Sequence, residues 1–157
     1  MIIKILVVIV AIVSVAAVVA MFTRNKYTLK RDVIVKKPKD EVFHYIKLNR
    51  NQTHYSKWLS FDPETRIDFF GAEDGQPGSI LAFASKDKRT GKGEWETKRV
   101  VEGERVEFEL RFLEPFQFTA NGHFSTEAVS PTETKVTWVY NSGMDWPMNF
   151  MLLFLDM

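Results

Sequence analysis

Residues 106–127, VEFELRFLEPFQFTANGHFSTE, decide the fold class. Val106, Phe108, Leu110 and Phe112 alternate with Glu107, Glu109 and Arg111. After Glu114-Pro115 the alternation resumes, with Phe116, Phe118, Ala120, Gly122 and Phe124 set against Gln117, Thr119, Asn121, His123 and Ser125. A period of two sends successive side chains to opposite faces, so each run has one apolar and one polar side. That is the pattern of an antiparallel sheet packed on one face and wet on the other.

The pattern extends in both directions. Downstream, Lys135–Asn141 repeats it with Val136, Trp138 and Tyr140. Upstream it begins near Glu64, and turn signals at 71–78, 88–93, 102–104, 114–115 and 130–133 divide the region into six strands. Tyr27–Val35 (YTLKRDVIV), rich in β-branched and aromatic residues, reads as an earlier strand. Pro38 suits the first turn of a helix, Asp40 and Glu41 favour its positive end, and Val42, Phe43 and Ile46 form its apolar stripe. Asn49–Gln52 ends it, and Thr53–Leu59 predicts a second short helical piece. The order is strand, helices, six strands and a last helix starting at Pro147, an α+β layout with helices against one face of the sheet.

The last run, Met148–Met157, is almost wholly apolar. It has no Gly or Asn cap and no basic last turn, and Asp156 lies where the helix dipole disfavours an anion. One reading is a short terminal helix; the preferred expectation is a C-terminal helix cut short from a longer protein.

At the other end, from Ile5 to Phe22 only Ser14 is polar. A helix of that length reaches about 27 Å at ~1.5 Å per residue, enough to cross the hydrocarbon of a bilayer. Lys4 on one side and Arg24, Lys26, Lys30 and Arg31 on the other would sit among headgroups. The rival reading is a cleaved secretory signal, with Val18-Val19-Ala20 as the cleavage site; the apolar run is longer than such signals need and lacks a clean A-x-A ending. Residues 1–23 are therefore expected to be a single-pass anchor in the cell membrane and 27–157 one domain. The positive-inside rule nominally favours a cytoplasmic domain. Signal anchors with short basic tails often insert the other way, so both orientations stay open.

Lys4 aside, every charge falls after Phe22, and there the basic and acidic residues balance. A nucleic-acid-binding surface is not expected. The chain has no cysteine, which is compatible with either redox compartment.

Several of these segments occur together in one known family. The N-terminal span, the strand YTLKRDVIV, the P-x-D-E-V-F helix at Pro38–Phe43, the Trp58 segment, G-K-G-E-W at Gly91–Trp95 and the apolar run from Pro147 resemble the START-like (SRPBCC) superfamily. Within it, the likeness is to membrane-anchored bacterial proteins of the polyketide cyclase/dehydrase type. The resemblance implies a helix-grip fold, in which a curved antiparallel sheet wraps a long C-terminal helix and leaves an apolar cavity. In such relatives the last helix runs well beyond the position of Met157, and a second Trp commonly precedes Trp58, where this chain has His54 and Tyr55.

No G-x-S-x-G elbow is present, and His44, His54 and His123 lie in different elements, so neither a nucleophilic triad nor a metal site is expected. His123 is the most tempting acid/base group. Its phase with Asn121 and Ser125 puts it on the polar face, so no catalytic residue is assigned. The aromatic content, 13 Phe, 4 Trp and 4 Tyr, fits an ordinary core as well as a cavity; the family resemblance favours the cavity. The expected lining is Trp58, Trp95, Phe108, Leu110, Phe118, Trp138 and Tyr140. If strict alternation continues through Trp95, Thr97 and Arg99, Arg99 is a cation inside that wall that needs a partner, either an internal carboxylate or the anionic head group of a ligand it would orient; the equally open alternative is an Arg at the rim of the sheet.

The expected function is membrane-tethered binding of a hydrophobic small molecule or lipid, with the bilayer and that ligand as partners and no cofactor. Binding rather than bond-breaking is the default. A cyclase/dehydratase-like enzyme and a protein-interaction module localised to the membrane are the alternatives.

Overall fold

The computed structural model describes residues 1–154. The chain divides into two compact units: Lys30–Tyr140, and Met1–Leu29 together with the chain from Asn141 onward.

The elements follow the expected order. Helix α1 (Ile2–Phe22) precedes β1 (Lys26–Val35), α2 (Lys39–Lys47), a 3-10 turn at Asn49–Asn51, the single-turn α3 (Gln52–Tyr55) and a 3-10 turn at Leu59–Phe61. Six strands come next: β2 (Arg66–Gly71), β3 (Ser79–Ala84), β4 (Lys92–Val101), β5 (Arg105–Glu114), β6 (Phe118–Ser130) and β7 (Glu133–Gly143). The seven strands form one curved antiparallel sheet in the order β1-β7-β6-β5-β4-β3-β2. The first strand and the second therefore occupy opposite edges, and the helical segment between them carries the chain from one edge to the other. β2 to β7 are joined in sequence by short turns, as the period-two runs require.

The apolar faces of β2 to β7 supply the core. Leu81, Phe83, Leu110, Phe112 and Ala120 are buried together, with Leu59, Ile67, Trp95 and Tyr140 packed against them. Each fully buried Phe or Leu contributes about 1.5–3 kcal/mol. Two glycines let rings lie flat on the sheet. A Cβ at Gly93 would stand 2.6 Å from Phe83 Cζ, and one at Gly122 would stand 2.7 Å from Phe108 Cζ and collide with the Val139 carbonyl.

One strand departs from strict alternation. Thr97 pairs with Phe108, but Arg99 pairs with Glu107 and Val100 with Val106. Lys98 is thus an extra residue, a β-bulge, and every side chain after it changes face.

In the unit that contains the chain ends, α1 is long and apolar enough to cross a membrane, and 6% of its most apolar window is buried. Following Pro147, Met148–Leu153 forms a 3-10 helix rather than the expected α-helix. The Trp146-Pro147 peptide is cis. The far end of the expected helix, with Asp156, lies outside the described residues.

Candidate ligand cavity

α2 packs against β6, and between the helical segment and the β1–β7–β6 end of the sheet lies an open cavity of about 610 Å³. Its apolar walls come from Val33 and Val35 of β1, Val42 and Ile46 of α2, Phe124 of β6, and Val136 and Trp138 of β7. The alternation that builds the sheet explains this set. Val33 and Val35 stand two apart, as do Val136 and Trp138, so each pair shares a face.

A hydrogen-bonded cluster holds the helical side of the cavity in place. Asn49, 3% exposed, donates through Nδ2 to the Ser79 carbonyl and Oγ, each at 3.1 Å, and accepts from Thr97 Oγ1 at 3.2 Å. Its backbone N–H donates to Asp74 Oδ1 at 2.6 Å, and Arg50 Nε reaches Asp74 Oδ2 at 2.6 Å. The junction of α2 and α3 is thereby pinned to β3, β4 and the β2–β3 turn.

Polar side chains border the cavity as well, although its lining surface is mainly apolar. Tyr45 Oη and His54 Nδ1 are 2.9 Å apart, and Asn51 Nδ2 donates to the Tyr45 carbonyl at 2.7 Å. Tyr55 packs edge-on to Phe124, with ring centroids 6.2 Å apart. Desolvation, reinforced by Tyr45 and Asp74, pushes the Tyr55 phenol above its ordinary pKa. Arg31, Asp32, Lys37, Glu41 and His44 also border the cavity, and Lys37 and Glu41 pair at 2.8 Å on the surface.

The structure distributes the expected lining residues over three environments. Trp138 borders the cavity. Phe108 and Leu110 are buried in the packed face, where Trp95 stacks on Phe108 at 3.8 Å between ring centroids and Tyr140 packs on the core. Trp58 and Phe118 are partly exposed and converge on Phe112, with centroids 5.2 and 4.4 Å from its ring. The Trp58 indole N–H donates to the Thr90 carbonyl at 3.0 Å, and the Thr90 hydroxyl donates to the Trp58 carbonyl at 3.1 Å.

Arg99 requires a correction. The bulge at Lys98 turns it to the exposed face opposite Glu107, so it is not a cation within an apolar wall. The guanidinium that does sit among several carboxylates is Arg111, on the polar face. It reaches Glu96 and Glu109 at 2.6 Å and Glu94 at 2.9 Å. His123 also lies on that face, half-buried, with Nδ1 3.0 Å from Arg105 Nη2. Burial and then the Arg105 charge lower its pKa.

Val33, Val35, Tyr45 and Tyr55 entered the wall without being foreseen. The in-phase pairing of Val33 with Val35 was the available signal; what it lacked was the knowledge that β1 lies beside β7.

No protein-family model matches the sequence, and no curated protein matches it. Solved structures do match. Norcoclaurine synthase from Thalictrum flavum superposes with a TM-score of 0.63 at 10% identity, over 86% of this chain and 78% of that one. Zhui aromatase/cyclase from Streptomyces sp. R1128 gives 0.54 at 13% identity, over 76% and 69%. Ara h 8.0201 gives 0.55 at 14%, over 76% and 78%. Identities this low speak to the fold alone: the chain shares with these structures a curved antiparallel sheet with helices, consistent with the helix grip.

Proposed function

We propose that the chain is a membrane-tethered domain that binds a hydrophobic small molecule or lipid in the cavity bordered by β1, α2, β6 and β7. The cavity itself carries this reading. Its volume of about 610 Å³ falls within the ~300–1,000 Å³ range of small-molecule sites, which combine apolar walls with a few orienting polar groups. Val33, Val35, Ile46, Phe124 and Trp138 supply the apolar contacts, and Tyr45 and Tyr55 the orienting hydroxyls. The fold is shared with Zhui aromatase/cyclase and norcoclaurine synthase, the latter solved with dopamine and hydroxybenzaldehyde. Helix α1 is the tether, because an exposed apolar helix of 21 residues is long enough to span a bilayer.

The test is native mass spectrometry of the detergent-extracted chain, with Val33→Trp as comparison. Val33 is 56% exposed, so a larger ring there fills cavity space without overpacking the core. A co-purifying apolar molecule that is lost from V33W supports the reading. A chain that emerges empty, or retains the molecule equally in V33W, overturns it.

The Tyr45–His54 pair supports a second reading, a cyclase/dehydratase-like enzyme. Tyr45 borders the cavity and its phenol is hydrogen-bonded to His54 Nδ1 behind it, so the pair would relay a proton between a bound substrate and the imidazole. Turnover of a polyketide-like substrate that disappears in His54→Ala would favour it.

A further inference from the structure

Beyond the tether, α1 is joined to a second apolar segment. Gly143 lies against the chain leaving α1, where a Cβ would stand 2.6 Å from the Asn25 carbonyl, and Met144 N–H donates to that same carbonyl at 2.9 Å. From there the chain turns back along the helix. Trp146 Nε1 donates to the Ala17 carbonyl at 3.1 Å, and Asn149 Nδ2 donates to the carbonyls of Ala20 at 2.8 Å and Thr23 at 3.0 Å. Leu152 is buried, as is Ala20 on α1.

These contacts set depth. Ala17 lies five residues before Phe22, the last residue of α1. At ~1.5 Å per residue, Trp146 is held about 8 Å back along the helix from its end. Asn149 returns to the level of that end. The segment thus dips and comes back, with the Trp146 and Asn149 side-chain N–H groups turned to α1 carbonyls, Leu152 buried and most of the other apolar side chains exposed. Trp146 is 59% exposed, Met148 55%, Leu153 58% and Phe154 78%, beside Phe22 at 86%. No charged residue occurs from Trp146 to Phe154. So many exposed large apolar side chains in one short segment are unfavourable in water. A depth of ~5–10 Å with an amphipathic Trp is the arrangement of an interfacial segment.

We infer that Trp146–Phe154 is a second membrane-embedded element, a shallow interfacial dip docked on the end of α1 and seated in the lipid of one leaflet. This rests on the reading of α1 as a membrane span, and the experiment separates the two. The chain has no cysteine, so single cysteines carry an environment-sensitive fluorophore without further changes. Leu153→Cys, Met148→Cys, Val10→Cys in mid-α1 and Glu127→Cys on β6 are labelled in the full chain. Each is reconstituted into phosphatidylcholine/phosphatidylglycerol vesicles with or without nitroxide-bearing lipids.

The expected result is that labels at 153 and 148 emit to the blue of the label at 127. They are quenched by lipid-borne nitroxide placed near the headgroups, and their iodide quenching is several-fold weaker than at 127. If both behave like the label at 127 while that at 10 is lipid-quenched, the dip is refuted and the span stands. Iodide access at 10 as well overturns both.

Discussion

Replacing Asn49 by Ala is the most direct test of how the cavity is held together. The amide is 3% exposed and makes three side-chain hydrogen bonds, to the Ser79 carbonyl, the Ser79 hydroxyl and the Thr97 hydroxyl. Ser79 is 2% exposed and Thr97 0%, so water does not replace the lost partner. A buried polar group left without a partner costs about 1–3 kcal/mol. With groups stranded on two residues and the space vacated by the amide, N49A should lose about 3 kcal/mol. At a urea dependence of ~2 kcal/mol per molar, the midpoint falls by about 1.5 M. The assay is equilibrium urea unfolding of the detergent-solubilised full chain, followed by tryptophan fluorescence. Removing the stranded hydroxyl as well, in Asn49→Ala/Thr97→Val, should recover about 1 kcal/mol, because an apolar isostere has no unmet hydrogen bond. A midpoint shift below about 0.5 M, or a double variant weaker than N49A, would refute the assignment of Asn49 as the pin between helices and sheet.

Gly122→Ala should cost about 2–3 kcal/mol by the same unfolding measurement, since the new methyl meets both the Val139 carbonyl and the Phe108 ring; an unchanged midpoint would show that the two strands can part freely. Trp58→Phe keeps a ring beside Phe112 but removes the donor to the Thr90 carbonyl, and should cost about 1 kcal/mol. Arg111 gives a pH signature. Its hydrogen bond, followed by that of Lys98, holds Glu96 below its ordinary value of 4.5. A carboxylate with a lowered folded-state pKa stabilises the fold above its unfolded pKa, and that contribution is lost as pH falls through the folded one. Wild type should therefore lose stability below about pH 4.5. Arg111→Met should be weaker near neutrality, and its deficit should shrink as the glutamates become protonated. A deficit that grows in acid would contradict the network.

The sheet was legible because period two persists through strands that each face water on one side. Val106–Leu113 alone sets the phase that the register of β5 against β4 and β6 repeats. Arg99 was misplaced for a local reason: alternation was extrapolated through Lys98, and nothing in GKGEWETKRV marks a bulge. Which apolar residues border the cavity is hard to read for a long-range reason. Phe108 and Leu110 look the same in sequence whether they line a space or fill one. What separates them from Val33 and Val35 is that β5 lies in the middle of the sheet, where Trp95 and Phe124 from its two neighbours cover Phe108, whereas β1, at the edge, pairs only with β7. Edge position is a property of topology, not of residue type.

The two ring-over-glycine contacts also act on the shape of the domain. An aromatic side chain normally rises from a sheet and sets the height at which the next layer can approach. At Gly93 and Gly122 the missing Cβ leaves a notch, and Phe83 and Phe108 recline into it. Any side chain at these two positions would push the rings away from the strand, so the two smallest residues of β4 and β6 fix how closely Phe83 and Phe108 approach the backbone, and with it how deep the packed layer sits.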